Sequence, residues 1–273
     1  TVVIDPKGHI FDLKGNLFAS DISPDGTYLG NFNTFMFGME YVDLENLQFT
    51  KFDSLALEGP NGLGDSYVFG LKLLDNKEAF LSTGQTIAFK NGKELKALDR
   101  ENFFKKFKGD SFATEWVSNE TISNNGSQYV GLLMPPDLDS SPNGLLWVDF
   151  ETKTKHIIPL DDFKEFIKYN IIQYIGKYPA NAFSQAYYLQ FYEDKVLLTA
   201  SLENSVWVID KEKKSVKKHT FQSNFLPNTH KITYPNRVES EVELEALKKF
   251  EEAKKEKSKQ PSYSKWEFDK KTG

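Results

Sequence analysis

The chain has 273 residues, 39% hydrophobic, 14% aromatic and 27% charged, a balance that can bury a core and excludes a disordered polymer. Its formal net charge of -5 at pH 7 speaks against a nucleic-acid-binding surface. It has no cysteine, so disulfides, thiolate metal sites and a cysteine nucleophile are excluded, and no apolar run approaches the roughly 20 residues of a membrane-spanning helix.

Residues 1–14 read as two short strands around Pro6-Lys7-Gly8. A start without methionine predicts a processed or trimmed product, with any leader or lipid anchor lying outside it. The first whole four-stranded unit is expected over 16–53. Within it, Ser23 to Asn33 holds two strand-like runs turned by Asp25-Gly26, and Met39 to Phe52 holds two more turned at Asp43 to Asn46.

The same grammar returns over 67–98, 111–160 and 185–221. The first hairpins align as SPDGTYLGN, LLDNKEAFLS, SNNGSQYVGL and FYEDKVLLTA. In three of the four repeats the third strand carries an aromatic followed by an aspartate: Tyr41 and Asp43, Trp147 and Asp149, Trp207 and Asp210. The aspartate opens the turn to the outer strand and the aromatic wedges between neighbouring sheets. Repetition of one β unit at this period predicts an all-β fold of the β-propeller type.

The connections are individual. Glu58-Gly59-Pro60-Asn61-Gly62-Leu63-Gly64 is an inter-blade loop rich in turn formers. Asp99 to Lys108 is expected to make a helical turn, and Pro135 to Gly144 a rim loop. An insertion over 161–184 is expected to open with a helix at 162–169 and to carry Tyr174 and Tyr178 beside Pro179. Residues 238–257 predict an exposed, charged helix with a narrow stripe of Val242, Leu244, Leu247 and Phe250. Tyr263 to Asp269 reads as the first strand of another blade. Four whole blades with a partial one at each end predict six in the intact protein, incomplete here.

No catalytic constellation stands out. His9, His156, His219 and His230 are scattered, without metal-ligand spacing, and no GxSxG elbow is present. Asp137-Leu138-Asp139 lacks the glycine and terminal glutamate of a calcium loop. Gly59 to Gly64 contains a proline and precedes a strand, so it is no phosphate loop. No metal or cofactor is expected. The aspartates Asp25, Asp43, Asp149 and Asp210 recur with the repeat, which points to turn formation. The candidate binding residues are Asn31 and Asn33 at the end of a central hairpin, Glu58 and Asn61 in the inter-blade loop, and Tyr174 and Tyr178, which suit stacking on a sugar or peptide.

The segments VVIDPKG, ISPDGTYLGNFN, YVDLENL, EGPNGLG and EFDKKTG resemble a TolB-like, six-bladed β-propeller family of Bacteroidetes catalogued as domain of unknown function 4221. The resemblance implies an exported protein, often a lipoprotein, of the periplasm or cell surface, and it brings no established catalytic residues. It also implies that the last blade or so is absent from this chain. The expected role is a non-enzymatic binding or scaffold protein recognising a protein, peptide or glycan. The alternative is a carboxylate- or metal-dependent hydrolase or lyase working at the central channel, and a third reading is a purely structural part of an assembly.

Overall fold

The computed structural model describes residues 19–59, 61–75, 78–92, 94–111, 116–137, 140–225 and 227–263. The segments quoted above from both termini therefore lie outside the described residues, as does most of the strand expected at 263–269.

Four consecutive sets of strands form four separate sheets. The first holds β1 (Ser20–Ile22), β2 (Tyr28–Asn33), β3 (Gly38–Asp43) and β4 (Gln48–Ser54), hydrogen-bonded in that order. The second holds β5 (Val68–Leu73), β6 (Ala79–Thr83), β7 (Thr86–Asn91) and β8 (Glu94–Asp99). Helix α1 (Arg100–Lys105) and the two-residue strand β9 (Lys108–Gly109) follow. The third sheet comprises β10 (Trp116–Ile122), β11 (Gln128–Met134), β12 (Gly144–Asp149) and β13 (Thr154–Pro159). Strand β9 returns to pair parallel with β13 and covers its outer edge.

The insertion is more regular than expected. A 3-10 helix spans Asp161–Tyr169, then β14 (Ile171–Ile175) and β15 (Tyr178–Phe183) form a hairpin. The fourth sheet is β16 (Tyr187–Tyr192), β17 (Lys195–Ala200), β18 (Ser205–Asp210) and β19 (Ser215–Thr220). Beyond it, β20 (Arg237–Ser240) pairs parallel with β14, giving a fifth sheet in the order β15-β14-β20, and α2 (Glu243–Lys257) follows. The chain divides into two compact units. One is Thr1–Asp110 with Glu120–Val130 and Trp147–His156, and the other is Ser111–Asn119 with Gly131–Leu146 and Ile157–Gly273.

The repeat is physical as well as textual. In the turn before β2, the Ser23 hydroxyl donates to Asp25 Oδ1 (2.6 Å), which also accepts from the Thr27 N–H (3.1 Å) and hydroxyl (2.7 Å). The Tyr28 N–H donates to Ser23 Oγ at 2.9 Å. In the turn before β11 the Ser123 hydroxyl donates to Asn125 Oδ1 (2.7 Å), which accepts from the Ser127 N–H (3.0 Å) and hydroxyl (2.9 Å), and the Gln128 N–H reaches Ser123 Oγ at 2.9 Å. The intervening glycines, Gly26 (φ +76°) and Gly126 (φ +73°), hold the left-handed conformation that such a turn demands. The turns between third and fourth strands repeat too. Asp43, Asp149 and Asp210 each accept main-chain N–H groups two or three residues ahead. The residue four positions on, Leu47, Lys153 or Lys214, has a positive φ in every case.

Packing in the first unit is apolar and aromatic. Phe32, Met39, Leu63, Val68, Leu73, Leu81 and Ala88 form one buried cluster from sheets one and two and the loop joining them. Helix α1 begins at an N-cap, with Asp99 Oδ1 accepting from the Asn102 N–H at 2.9 Å, and buries Phe103 and Phe104. Phe103 meets Phe107 and Phe150 at ring separations of 5.2 and 5.8 Å. Beside it, Arg100 forks onto Glu120 (2.9 and 2.7 Å), and the buried Tyr129 hydroxyl donates to the same carboxylate. Burial pushes the Tyr129 phenol well above its usual range.

In the second unit the 3-10 helix lays Phe163 and Phe166 against Trp207, at 4.7 and 5.7 Å. Helix α2 differs from the sequence expectation in two respects. It begins at Glu243, because residues 237–240 are taken as a strand by β14. Its buried face is Ala246, Phe250, Ala253 and Lys257, whereas Val242, Leu244 and Leu247 are exposed. Phe250 and Ala253 pack with Ile171, Tyr234 and Val238. The Lys257 ammonium donates to the main-chain carbonyls of Tyr169 (2.7 Å) and Phe183 (3.3 Å) and faces the rings of Phe183 and Tyr234. Burial lowers its pKa to about 8.

The paired turns supply an internal control. Hydrogen bonds from Ser23 and Thr27 hold the Asp25 carboxyl at about 2, below its ordinary 3.8. Its contribution to stability is therefore full above pH 3.8 and fades as pH falls towards 2. Asn125 fills the same place without titrating. Asp25→Asn is expected to leave the thermal midpoint at pH 7 nearly unchanged and to reduce its fall between pH 4.5 and 2.5, as read by melting curves of both chains.

Candidate functional site

The polar residues singled out on β2 point inward. Asn31 and Glu40 face each other in the β2–β3 register, and Asn33 lies two residues along on the same face. The Asn31 amide donates to one Glu40 carboxylate oxygen and the Asn33 amide to the other, both at 2.7 Å, and all three residues are buried. A buried carboxylate is costly unless its lone pairs are taken, and here two amides on one strand take them. The side-chain oxygen of Asn33 in turn accepts from the N–H groups of Phe35 (3.0 Å) and Met36 (2.8 Å), which folds the β2–β3 connection into a tight turn. Asn31 and Asn33 therefore support a loop from within, and the surface above them belongs to Phe35 and Met36, 69% and 53% exposed.

The loop between sheets one and two leaves β4 at the same end of the sheet. Its first residue bonds back to the turn, with the Leu55 N–H donating to the Phe37 carbonyl at 3.0 Å. The N–H of Gly62 then reaches the Gly59 carbonyl (3.0 Å), that of Leu63 the Ala56 carbonyl (3.0 Å), and that of Gly64 the Leu57 carbonyl (2.8 Å). Gly62 is obligatory by contact, since a Cβ there would sit 2.6 Å from the Leu57 carbonyl oxygen. Leu63 is fully buried in the core of the unit, and its carbonyl accepts from the Thr86 hydroxyl at 2.6 Å. The loop is thus pinned at both its start and its end, leaving Leu57, Glu58, Asn61 and Tyr67 exposed. Phe69, 56% exposed at the start of β5, points its ring towards Gly84 between β6 and β7, as does the Asp65 carboxylate.

The rim of this unit therefore combines exposed apolar side chains, Phe35, Met36, Leu57 and Tyr67 on the loops and Phe69 at the start of β5, with the polar Glu58 and Asn61. Such a surface can bind by burying aromatic area, with the carboxylate and amide setting orientation. Glu40, Phe35 and Met36 were not singled out from the sequence. The alternation of Asn31 with Asn33 opposite a glutamate was the available signal for the first, and Phe-Met in a turn between two strands the signal for the others.

Tyr174 and Tyr178 lie in the other unit, on the β14–β15 hairpin, and are not brought to a common cleft. Tyr174 is buried, with the Arg237 guanidinium stacked 3.8 Å from its ring centre, while Tyr178 is 67% exposed. Among the described residues no group of three or more His, Asp or Glu is placed to hold a metal ion. Nor is any described helix long and apolar enough to cross a membrane.

A family model described as a domain of unknown function (DUF4221) matches residues 1–273. Among solved structures, a DUF4221 member from Bacteroides vulgatus superposes with a TM-score of 0.50 at 18% identity, covering 77% of this chain and 59% of that protein. The chain thus spans about three-fifths of that relative's length. A luciferin-regenerating enzyme matches at TM-score 0.42 and 12% identity, over 77% of this chain and 62% of the other. Hydrazine synthase from Kuenenia stuttgartiensis matches at 0.39 and 13%, over 75% and 54%. The likeness to the DUF4221 member concerns fold only. No curated protein matches the chain.

The buried triad and the exposed rim are expected to respond differently to substitution. Glu40→Ala strands two buried amides and is expected to cost about 3 kcal/mol of folding stability. Glu58→Ala, on the surface of the same rim, is expected to stay within about 0.5 kcal/mol. Urea denaturation of both variants measures the contrast.

Proposed function

The chain belongs to the DUF4221 family, whose function is unknown, and we propose that it is a non-enzymatic binding protein of the cell envelope that recognises a protein, peptide or glycan through the rim of its first unit. The observation that carries this reading is the conjunction of exposed aromatic side chains with backbones held rigid beneath them. Phe35 and Tyr67 are exposed by about two-thirds, yet the loops that bear them are tied down by Asn33, Leu63 and Thr86. Pre-ordered loops lose little conformational entropy when a partner docks, so the apolar area they present converts more fully into affinity. Glu58 and Asn61 are proposed as the polar contacts of the same rim, and Asn31 and Asn33 as its internal supports.

In this reading the repeated four-stranded sheets are blades of a propeller. The periplasmic or cell-surface location rests on the exported character that the family resemblance implies.

A thermal-shift screen of the whole chain against oligosaccharides and short peptides tests the proposal. A ligand present at a hundredfold its Kd adds about 2.7 kcal/mol, and each kcal/mol moves the midpoint of a domain this size by roughly 2–4 °C. The shift is expected to vanish in the Phe35→Ser, Tyr67→Ser double variant, whose own midpoint should stay close to that of the unaltered chain. A ligand shift that survives the double substitution would move the binding site away from the rim.

A further inference from the structure

The fifth sheet differs from the others in having three strands, β15-β14-β20, and its outer strand β20 borders a cleft of about 470 Å³. The cleft lies between the segment Thr233 to Glu239 and one flank of α2, formed by Lys249, Glu252, Ala253 and Glu256. This volume falls in the range of ligand sites. We infer that the cleft receives an extended peptide, which adds as a fourth strand to the outer edge of β20, paired with no other strand among the described residues, displaces the Lys249 ammonium from the Glu239 carbonyl, and presents a basic side chain to Glu252 on the flank of α2. The inference does not rest on the rim of the first unit, so each can fail alone.

Backbone geometry gives the edge. Strand β14 takes the carbonyls of Asn236 and Ser240, through the N–H groups of Ile172 (2.9 Å) and Gly176 (3.1 Å). Alternation along a strand then turns the main-chain groups of Arg237 and Glu239 away from β14. The Glu239 carbonyl is indeed met from the helix side, by the Lys249 ammonium at 3.5 Å, which places the outer edge of β20 against the flank that lines the cleft. A row of main-chain donors and acceptors beside a groove is the arrangement by which extended peptides are captured.

The walls give the peptide its character. Tyr234, Val238 and Ala253 are buried and form an apolar floor that suits every second side chain of a strand. Around it the charges are nearly all spoken for: Arg237 pairs with Glu239 (2.9 Å), Lys249 with Glu245 (2.8 Å) and Glu256 with Lys259 (2.6 Å). Glu252 has no ion pair among the described residues and lies one turn before Glu256 on the same flank. An alternating apolar and basic sequence fits both the floor and this carboxylate.

Fluorescence polarisation with a dye-labelled octapeptide of alternating valine and lysine, titrated with the whole chain, tests the assignment. Binding is expected. It should weaken about tenfold or more when alternate peptide nitrogens are methylated, when lysine is replaced by glutamate, and in the Glu252→Lys variant, whose thermal midpoint should be unchanged. Equal binding of the methylated peptide would overturn strand addition. Equal binding of the acidic peptide, or by Glu252→Lys, would overturn the charge assignment. Absence of binding up to about 1 mM would overturn the site as a whole.

Discussion

A four-stranded sheet of short strands has two faces and no interior of its own, so whatever it buries must be supplied by something packed against it. That constraint runs through each unit. Sheets one and two solve it for each other, with Met39, Leu63, Leu81 and Ala88 buried in a common cluster. Helix α1 packs on β7 and β8 of sheet two, and its Phe103 also reaches Phe107 and Phe150. Sheet four receives the 3-10 helix, with Phe163 and Phe166 on Trp207. The three-stranded sheet receives α2. Each inter-sheet connection is thus also a piece of core, and this is why loops in this protein are so often apolar at one point and exposed at the next.

The same division of labour shapes the rim. Leu63 is driven into the core while Glu58 and Asn61, a few residues away, remain outside. Asn33 spends its amide on Glu40 and its oxygen on the turn above. A network that satisfies a buried carboxylate therefore also dictates where Phe35 and Met36 stand. Stability and surface are set by one group of side chains, which couples any change in the network to the shape of the rim.

How much of this could be read beforehand depended on the range of the interaction. Turns are local, so the serine, the aspartate or asparagine and the glycine of residues 23–28 and 123–128 revealed both the hairpins and their repetition. The aspartates at 43, 149 and 210 did the same for the outer turns. Strands β14 and β20 were missed because they pair across more than sixty residues, Ile172 with Arg237, and because Arg-Val-Glu-Ser carries too much charge to look like a strand. The buried face of α2 was misread for a related reason. Two of its members are alanines and one is a lysine, while the larger apolar residues Val242, Leu244 and Leu247 stay outside. Asn31 and Asn33 stood out as candidate binding residues, but their bonds to Glu40 were not legible because that partner is supplied by the neighbouring strand.

The parallel pairing of β14 with β20 has a topological consequence. The two strands flank sheet four in the sequence, one before it and one after, and they join each other through four registered residue pairs. Sheet four and the connection that follows it therefore form a closed loop whose neck is a clasp of main-chain hydrogen bonds, tightened by Lys257 reaching back to Tyr169 and Phe183. A chain cut within 221–236 would not come apart at the cut, because the pieces on either side remain laced together at β14 and α2. The second unit is in this sense circular, held by its lacing as well as by its covalent thread, and the ordering of sheet four brings the distant halves of the clasp within reach and so lowers the entropy lost on closing it.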